Sequence, residues 1–249
     1  MMDFKGLNVV VSGAAMGFGR EIACRFANAG ATVFGCDIQQ QKLAELNVFG
    51  IHTTVVDLCD RLAARHWIES VGEMTGGKID VLVNNAGGVA GQSGRPIEEI
   101  SDEEWDKVVA INLGAAFALS RAVAPMMKQT GKGAIINISS GAALKASLTG
   151  VQAYCASKHA ILGLTRQLAH ELGPFGVRVN SVAPGFVITN EATQKQWEAM
   201  GEEVQKRLLA SIALRRLGTA GEIASTTLFL ASEYAGFING QIISVDGGQ

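Results

Sequence analysis

The chain predicts a single α/β domain over residues 1–249, built as a doubly wound parallel sheet of about seven strands with helices on both faces. Three observations lead there. Short apolar runs alternate with longer stretches of helical periodicity along the whole length. A glycine-rich turn, Ser12-Gly13-Ala14-Ala15-Met16-Gly17-Phe18-Gly19, follows the first apolar run and opens a helix. The length of 249 residues, 48% of them hydrophobic, suffices for one large core, since such folds run to ~250 residues undivided.

The first strand is expected at 7–11 and the first helix at 18–29. Glycines at 13, 17 and 19 let the backbone approach a pyrophosphate, and the helix N-terminus offers free N–H groups with a favourable dipole. The second strand, 31–36, leads to Asp37, eighteen residues past Gly19, whose carboxylate can accept hydrogen bonds from a ribose diol and repels a 2′-phosphate. No residue among Ala14, Ala15 and Met16 supplies a compensating cation, so the cofactor expected is NAD rather than NADP. This is a Rossmann-type dinucleotide fold.

A third strand at 52–56 ends in Asp57-Leu58, where Asp57 serves either a nucleotide or a helix cap. A fourth at 79–83 ends in Asn84-Asn85-Ala86-Gly87, and the loop 88–95 brings Arg95, an anion contact or a solvated charge, to the same sheet edge. Ser101 and Glu104 form the sequence of a capping box for a helix reaching about residue 128, with Asn112 inside it, where asparagine has no propensity advantage. The fifth strand, 134–138, delivers Ser139-Ser140, and Tyr154 and Lys158 stand one turn apart on a helix over 151–172. A cation beside a phenol lowers its pKa from ~10, which would let Tyr154 exchange protons near neutrality. Lys145 and Gln152, between the serines and the tyrosine, are candidate substrate contacts. The sixth strand, 177–182, precedes Pro184-Gly185, Val187 and Thr189; 190–212 reads as helices that close over substrate, a lid spanning about 186–212. The last strand is 241–245.

Composition excludes several classes. With a formal net charge of −2 and scattered basic residues, the chain lacks a nucleic-acid footprint or a membrane-surface patch. It offers no ~20-residue apolar run and no basic leader at its start, so a cytoplasmic protein is expected. Cys24, Cys36, Cys59 and Cys155 show no metal spacing, and no metal is expected.

The serine after a strand, the Tyr-x-x-x-Lys pair, the glycine turn, Asn84-Asn85-Ala86-Gly87, Asn112 and Pro184-Gly185-Phe186-Val187-Ile188-Thr189 together resemble the short-chain dehydrogenase/reductase family over nearly the whole chain. The resemblance implies an NAD-dependent oxidoreductase interconverting a secondary alcohol and a ketone. Ser140, Tyr154 and Lys158 would be catalytic, with Asn112 distorting its helix and holding a water that links Lys158 to solvent. It further implies cofactor contacts from Gly13, Met16, Gly17, Phe18, Gly19, Asp37, Asp57, Leu58, Asn85, Ala86, Gly87, Pro184, Gly185, Val187 and Thr189, besides Tyr154 and Lys158. Fourteen steps separate Ser140 from Tyr154 where the family commonly has thirteen, so Ser139 stays open as the alternative. The family also implies a homo-oligomer, tetramer or dimer, packed through helices such as the one carrying Ala156, Ala160 and Gly163, although burial within one chain explains those small residues equally. An NADPH-dependent 3-ketoacyl reductase, which shares the motifs, and a non-catalytic NAD-binding regulator are the alternatives. Asp37 stands against the first and the Ser-Tyr-Lys set against the second.

Overall fold

The computed structural model describes residues 2–249. Seven strands, β1 (Asn8–Ser12), β2 (Thr32–Asp37), β3 (His52–Val55), β4 (Val81–Asn84), β5 (Gly133–Ile138), β6 (Val177–Pro184) and β7 (Ile242–Val245), form one parallel sheet in the order β3-β2-β1-β4-β5-β6-β7. The central strands β1 and β4 are runs of Val and Leu that are buried on both faces, as a sheet covered on both sides requires. Along β1 the alternation sorts them: Val9 and Val11 face one layer, and Val10 faces the other.

The first layer is α1 (Gly17–Asn28) with α9 (Ala220–Ala231), which bury Ile22, Phe26, Ile223 and Leu228 against the sheet. The opposite layer is α3 (Arg61–Met74), α5 (Ala115–Thr130) and α6 (Gln152–Leu172), contributing Trp67, Ile68, Leu119, Val123 and Leu172. The short α2 (Gln40–Ala44) follows β2 and buries Leu43, and α4 (Asp102–Val109) precedes α5. Asp60, whose carboxylate accepts from Leu62 N at 2.8 Å and Ala63 N at 3.2 Å, caps α3, so the cap expected as one role of Asp57 falls three residues later. Ser101 and Glu104 close the capping box of α4 in both directions.

The helix read as continuous from Ser101 is interrupted: between α4 and α5 the residues Ala110–Gly114 make a π-turn. The combined run Asp102–Thr130 is longer and more apolar than its sequence suggested, reaching a mean hydropathy of 1.5 over 18 residues. Half of that window is buried inside the protein, which identifies a core helix. Residues 191–211 form α7 (Glu191–Ala199) and α8 (Gly201–Ser211), of which only Leu208 is buried.

Under the carboxyl ends of the middle strands lies a buried polar row. Asn84 donates to Asn137 Oδ1 at 2.8 Å and Ser120 Oγ at 3.0 Å, Asn137 donates to Thr165 Oγ1 at 2.8 Å, and Ser181 donates to Asn137 O at 3.0 Å. These bonds lock β4, β5 and β6 to α5 and α6 directly beneath the sheet edge where ligands bind in such folds. The chain reverses direction across the sheet between β1 and β4, and the crevice opens there.

Candidate active site

A cavity of about 740 Å³ runs along the carboxyl edge from Asp37 past Gly13 and Gly87 to Tyr154 and Lys158. Its floor is the glycine turn. Gly13 has φ +66 and Gly17 φ +58, and a Cβ on Gly13 would stand 2.9 Å from Ala86 Cα, so both positions require glycine. Gly19 lies beneath the turn rather than on the cavity wall: a Cβ there would come within 2.0 Å of Gly13 O, so close packing of the turn on the helix requires glycine at this position. Met16 starts α1 in extended conformation with no side-chain cap and no acid in the first turn, and Met16, Gly17 and Phe18 all line the cavity. Free N–H groups and an uncompensated dipole therefore face it, a fit for a diphosphate.

Ser12 fixes this floor to the end of β4. Its Oγ accepts from Asn85 N at 2.9 Å and Ala86 N at 3.0 Å, and Asn85 Nδ2 donates to both Ser12 O and Gly13 O at 3.0 Å. A hydroxyl at the end of the first strand was the signal for this role available in the sequence.

At the far end Asp37 is held by Ala15 N at 3.2 Å and Gln39 N at 3.1 Å, one to each carboxylate oxygen, leaving lone pairs on both for a ribose diol. Asp57 accepts Cys59 N on Oδ1 at 2.9 Å and lines the cavity with Leu58. Lys107 and Ile111, one turn apart on the helix opposite, also line it. Neither was singled out from sequence, although i,i+4 spacing ahead of Asn112 placed them on one face.

Tyr154 sits in the first turn of α6, where this cavity meets a second of about 660 Å³. Lys158, only 5% exposed, donates to Ile138 O at 2.9 Å, and its Nζ lies 5.7 Å from the Tyr154 ring centre. Burial lowers the Lys158 ammonium to about 8. In the cofactor-free protein the phenol answers first to its own burial and only then to neighbouring groups. Burial is the largest influence on Tyr154 and raises its pKa, while Ser140 stands close enough to draw it down. Ser140 Oγ accepts Ala142 N at 3.1 Å, whereas Ser139 is 4% exposed and donates to Lys158 O at 3.1 Å. Of the two serines, Ser140 stands beside the phenol, while Ser139 lines both cavities with its hydroxyl committed to Lys158 O. Ser140 caps a 3-10 turn, Gly141–Ala143, that opens the loop to α6.

Asn112 faces inward from the π-turn. Its Nδ2 donates to Val108 O and Gly88 O, each at 2.8 Å, and its Oδ1 accepts Gly88 N at 3.0 Å. Both amide hydrogens are thus spent within the protein, leaving one Oδ1 lone pair for a water. Gly87 completes the contact, since a Cβ there would stand 2.5 Å from Asn112 Oδ1 and 3.4 Å from Lys158 Nζ.

The second cavity is walled by the 140–149 loop, Val89, Phe186, Val187 and α7. Pro184, Gly185 and Val187 line this compartment and not the dinucleotide one, while Thr189 lines both. Lys145 lies on its wall. Arg95 and Gln152, the other two expected substrate contacts, do not line it: Arg95 pairs with Glu104, and Gln152 Nε2 donates to Arg95 O at 2.8 Å. Glu104 had been assigned only to the helix cap, so a partner for Arg95 was not foreseen. Phe186 stacks on Trp197 at 5.9 Å, tying the base of the 186–212 segment to α7.

Residues 13–249 match the family model described as enoyl-(acyl carrier protein) reductase. An uncharacterized oxidoreductase of Thermotoga maritima is 38% identical over 99% of this chain and 98% of its own. D-threitol dehydrogenase of Mycolicibacterium smegmatis is 37% identical over 99% of this chain and 94% of its own. The crystal structure of levodione reductase superimposes with a TM-score of 0.91 at 31% identity, covering 99% of this chain and 98% of the other.

Proposed function

The chain belongs to the short-chain dehydrogenase/reductase family, and from that premise we propose that it is an NAD-dependent oxidoreductase interconverting a secondary alcohol and a ketone. One observation carries the proposal: the Tyr154 phenol stands where the two cavities meet, with Ser140 on one side and Lys158 on the other. A nicotinamide held along the first cavity would supply the acceptor and donor of the carbinol hydride. In oxidation Tyr154 as phenolate takes the hydroxyl proton, and in reduction the phenol donates it. Ser140 donates to the substrate oxygen and stabilises its developing charge. Lys158, held by Ile138 O, brings a positive charge that favours the phenolate, and its remaining N–H groups face the cavity where a ribose would bind. Asn112 positions Gly88 and offers its last lone pair to a water on the path from Lys158. Residues 186–212 close over the substrate.

The preference for NAD rests on Asp37, whose carboxylate gains bonds from a diol and meets a 2′-phosphate as a like charge. Two cofactors assayed on one substrate decide it. We expect kcat/KM to favour NAD by ~10²-fold or more, and Asp37→Ala to narrow the ratio mainly by weakening NAD. Equal use of NADP by the unmodified enzyme would overturn the assignment and favour the ketoacyl reductase reading. We also propose a homo-oligomer, tetramer or dimer. Ala156, Ala160 and Gly163 are exposed on α6, and a Cβ on Gly163 would meet nothing within 4 Å, so packing within one chain does not explain them.

A further inference from the structure

We infer that the physiological substrate carries a carboxylate a few bonds from the reacting carbinol carbon, received by Lys145 in the second cavity. The inference rests on the alcohol–ketone reading above and specifies its substrate class. The argument begins with charge. Lys145 is the one lysine or arginine on the wall of that cavity, and no Asp or Glu side chain lines it. Among the described residues, the Lys145 ammonium has no ion-pair or hydrogen-bond partner, whereas Arg95, the other cation near the mouth, is neutralised by Glu104. The other side chains of the wall are apolar or uncharged: Leu148, Phe186 and Val187 offer no polar group, Ser147 and Thr149 bond to each other at 2.8 Å, and Ser93, Asn190 and Thr193 carry no charge. Gln196, half-buried on α7, also lines the cavity, and its amide has no partner among the described residues.

A second feature reinforces the field. The 21-residue helix α6 has no side-chain cap and no acid in its first turn, and Tyr154 of that turn lines the cavity, so the uncompensated positive end of the helix lies behind this wall. A lysine, an amide and a helix N-terminus favour a single negative charge over a neutral polyol. One cation also suits a monoanion better than a phosphate dianion, which would retain an uncompensated charge beside apolar walls. Lysine supplies a point charge on a flexible stem, so it tolerates several distances between carboxylate and carbinol.

The test is a matched series assayed with NAD on the purified full chain. 3-Hydroxybutyrate, 4-hydroxypentanoate and 5-hydroxyhexanoate are compared with butane-1,3-diol, pentane-1,4-diol and hexane-1,5-diol, which differ only in a hydroxymethyl for the carboxylate. We expect at least one hydroxy acid to exceed its diol in kcat/KM. Lys145→Gln should lower that hydroxy acid's kcat/KM about tenfold more than the diol's, acting through KM, as loss of a charged hydrogen bond implies. Lys145→Glu should reverse the preference, and added salt should weaken it in the unmodified enzyme. Diols used as well as or better than every hydroxy acid, or Lys145→Gln lowering both series alike, would overturn the inference while leaving the alcohol–ketone reading intact. Turnover of neither series would remove both.

Discussion

Tyr154 and Lys158 are each uncharged more readily than in water, because burial opposes phenolate and ammonium alike. Their chemistry therefore depends on single atoms. Tyr154→Phe should retain the fold and NAD affinity and lose ~10²–10⁴-fold in kcat, the range for a positioned acid–base group; stopped-flow single turnovers check it. Ser140→Ala should lose ~10²-fold, whereas Ser139→Ala, which deletes only the bond to Lys158 O, should spare the chemical step. Lys158 also leaves a thermodynamic signature. Its folded pKa, about 8, lies below the ordinary 10.5. Below pH 8 both folded and unfolded chains hold the proton, and the buried charge costs stability. Between about 8 and 10.5 only the unfolded chain holds it, so this group's contribution makes stability rise with pH; above 10.5 the cost is gone. Lys158→Met should accordingly stabilise the cofactor-free protein by on the order of 3 kcal/mol at pH 7 and show little advantage near pH 11, as measured by urea unfolding at both pH values.

At the scale of elements, the π-turn at Ala110–Gly114 is the clearest departure from regular structure. It inserts Asn112 between its own helix and the Gly88 backbone, and π-turns concentrate at functional sites for this reason. Asn112→Ala would orphan both polar groups of Gly88 and the mouth of the Lys158 pocket. Expected are a stability loss of about 2–4 kcal/mol in denaturant melts and a disproportionate fall in kcat. The strands were legible in sequence because a sheet covered on both faces writes continuous apolar runs, and the boundaries moved by two residues at most: β4 begins at Val81, and β6 continues to Pro184. The π-turn was legible only as an asparagine out of place, since its partner lies 24 residues away on a loop. The partners of Arg95 and Gln152 were hidden for the same reason. Their partners, Glu104 and Arg95 O, are set by how the 88–97 loop folds over α4 and α6, which no local periodicity encodes. The packing demand at Gly19 was hidden because a glycine needed for packing and one needed for a ligand look identical in sequence.

For the whole molecule, the exposed small-residue stripe of α6 and the Phe117–Arg121 pair on α5, with the guanidinium 5.1 Å over the ring, make a surface of two adjacent helices suited to a second copy. Sedimentation equilibrium should give a mass of two or four times 26.1 kDa, and Gly163→Arg should shift it toward the monomer without altering the circular dichroism spectrum. The pairing of α1 with α9 has a different consequence. These helices share one core layer, and Arg25 reaches Ser225 Oγ at 2.8 Å across 200 residues of sequence. During synthesis Ile22 and Phe26 can pack at once on Phe4, β1 and β2, but the flank of α1 that meets α9 stays open until α9 leaves the ribosome, roughly 10–40 s later at ~5–20 residues per second. For most of its birth the nucleotide-binding half is a sticky, half-clad intermediate, and the last fifth of the chain is what makes it safe from aggregation.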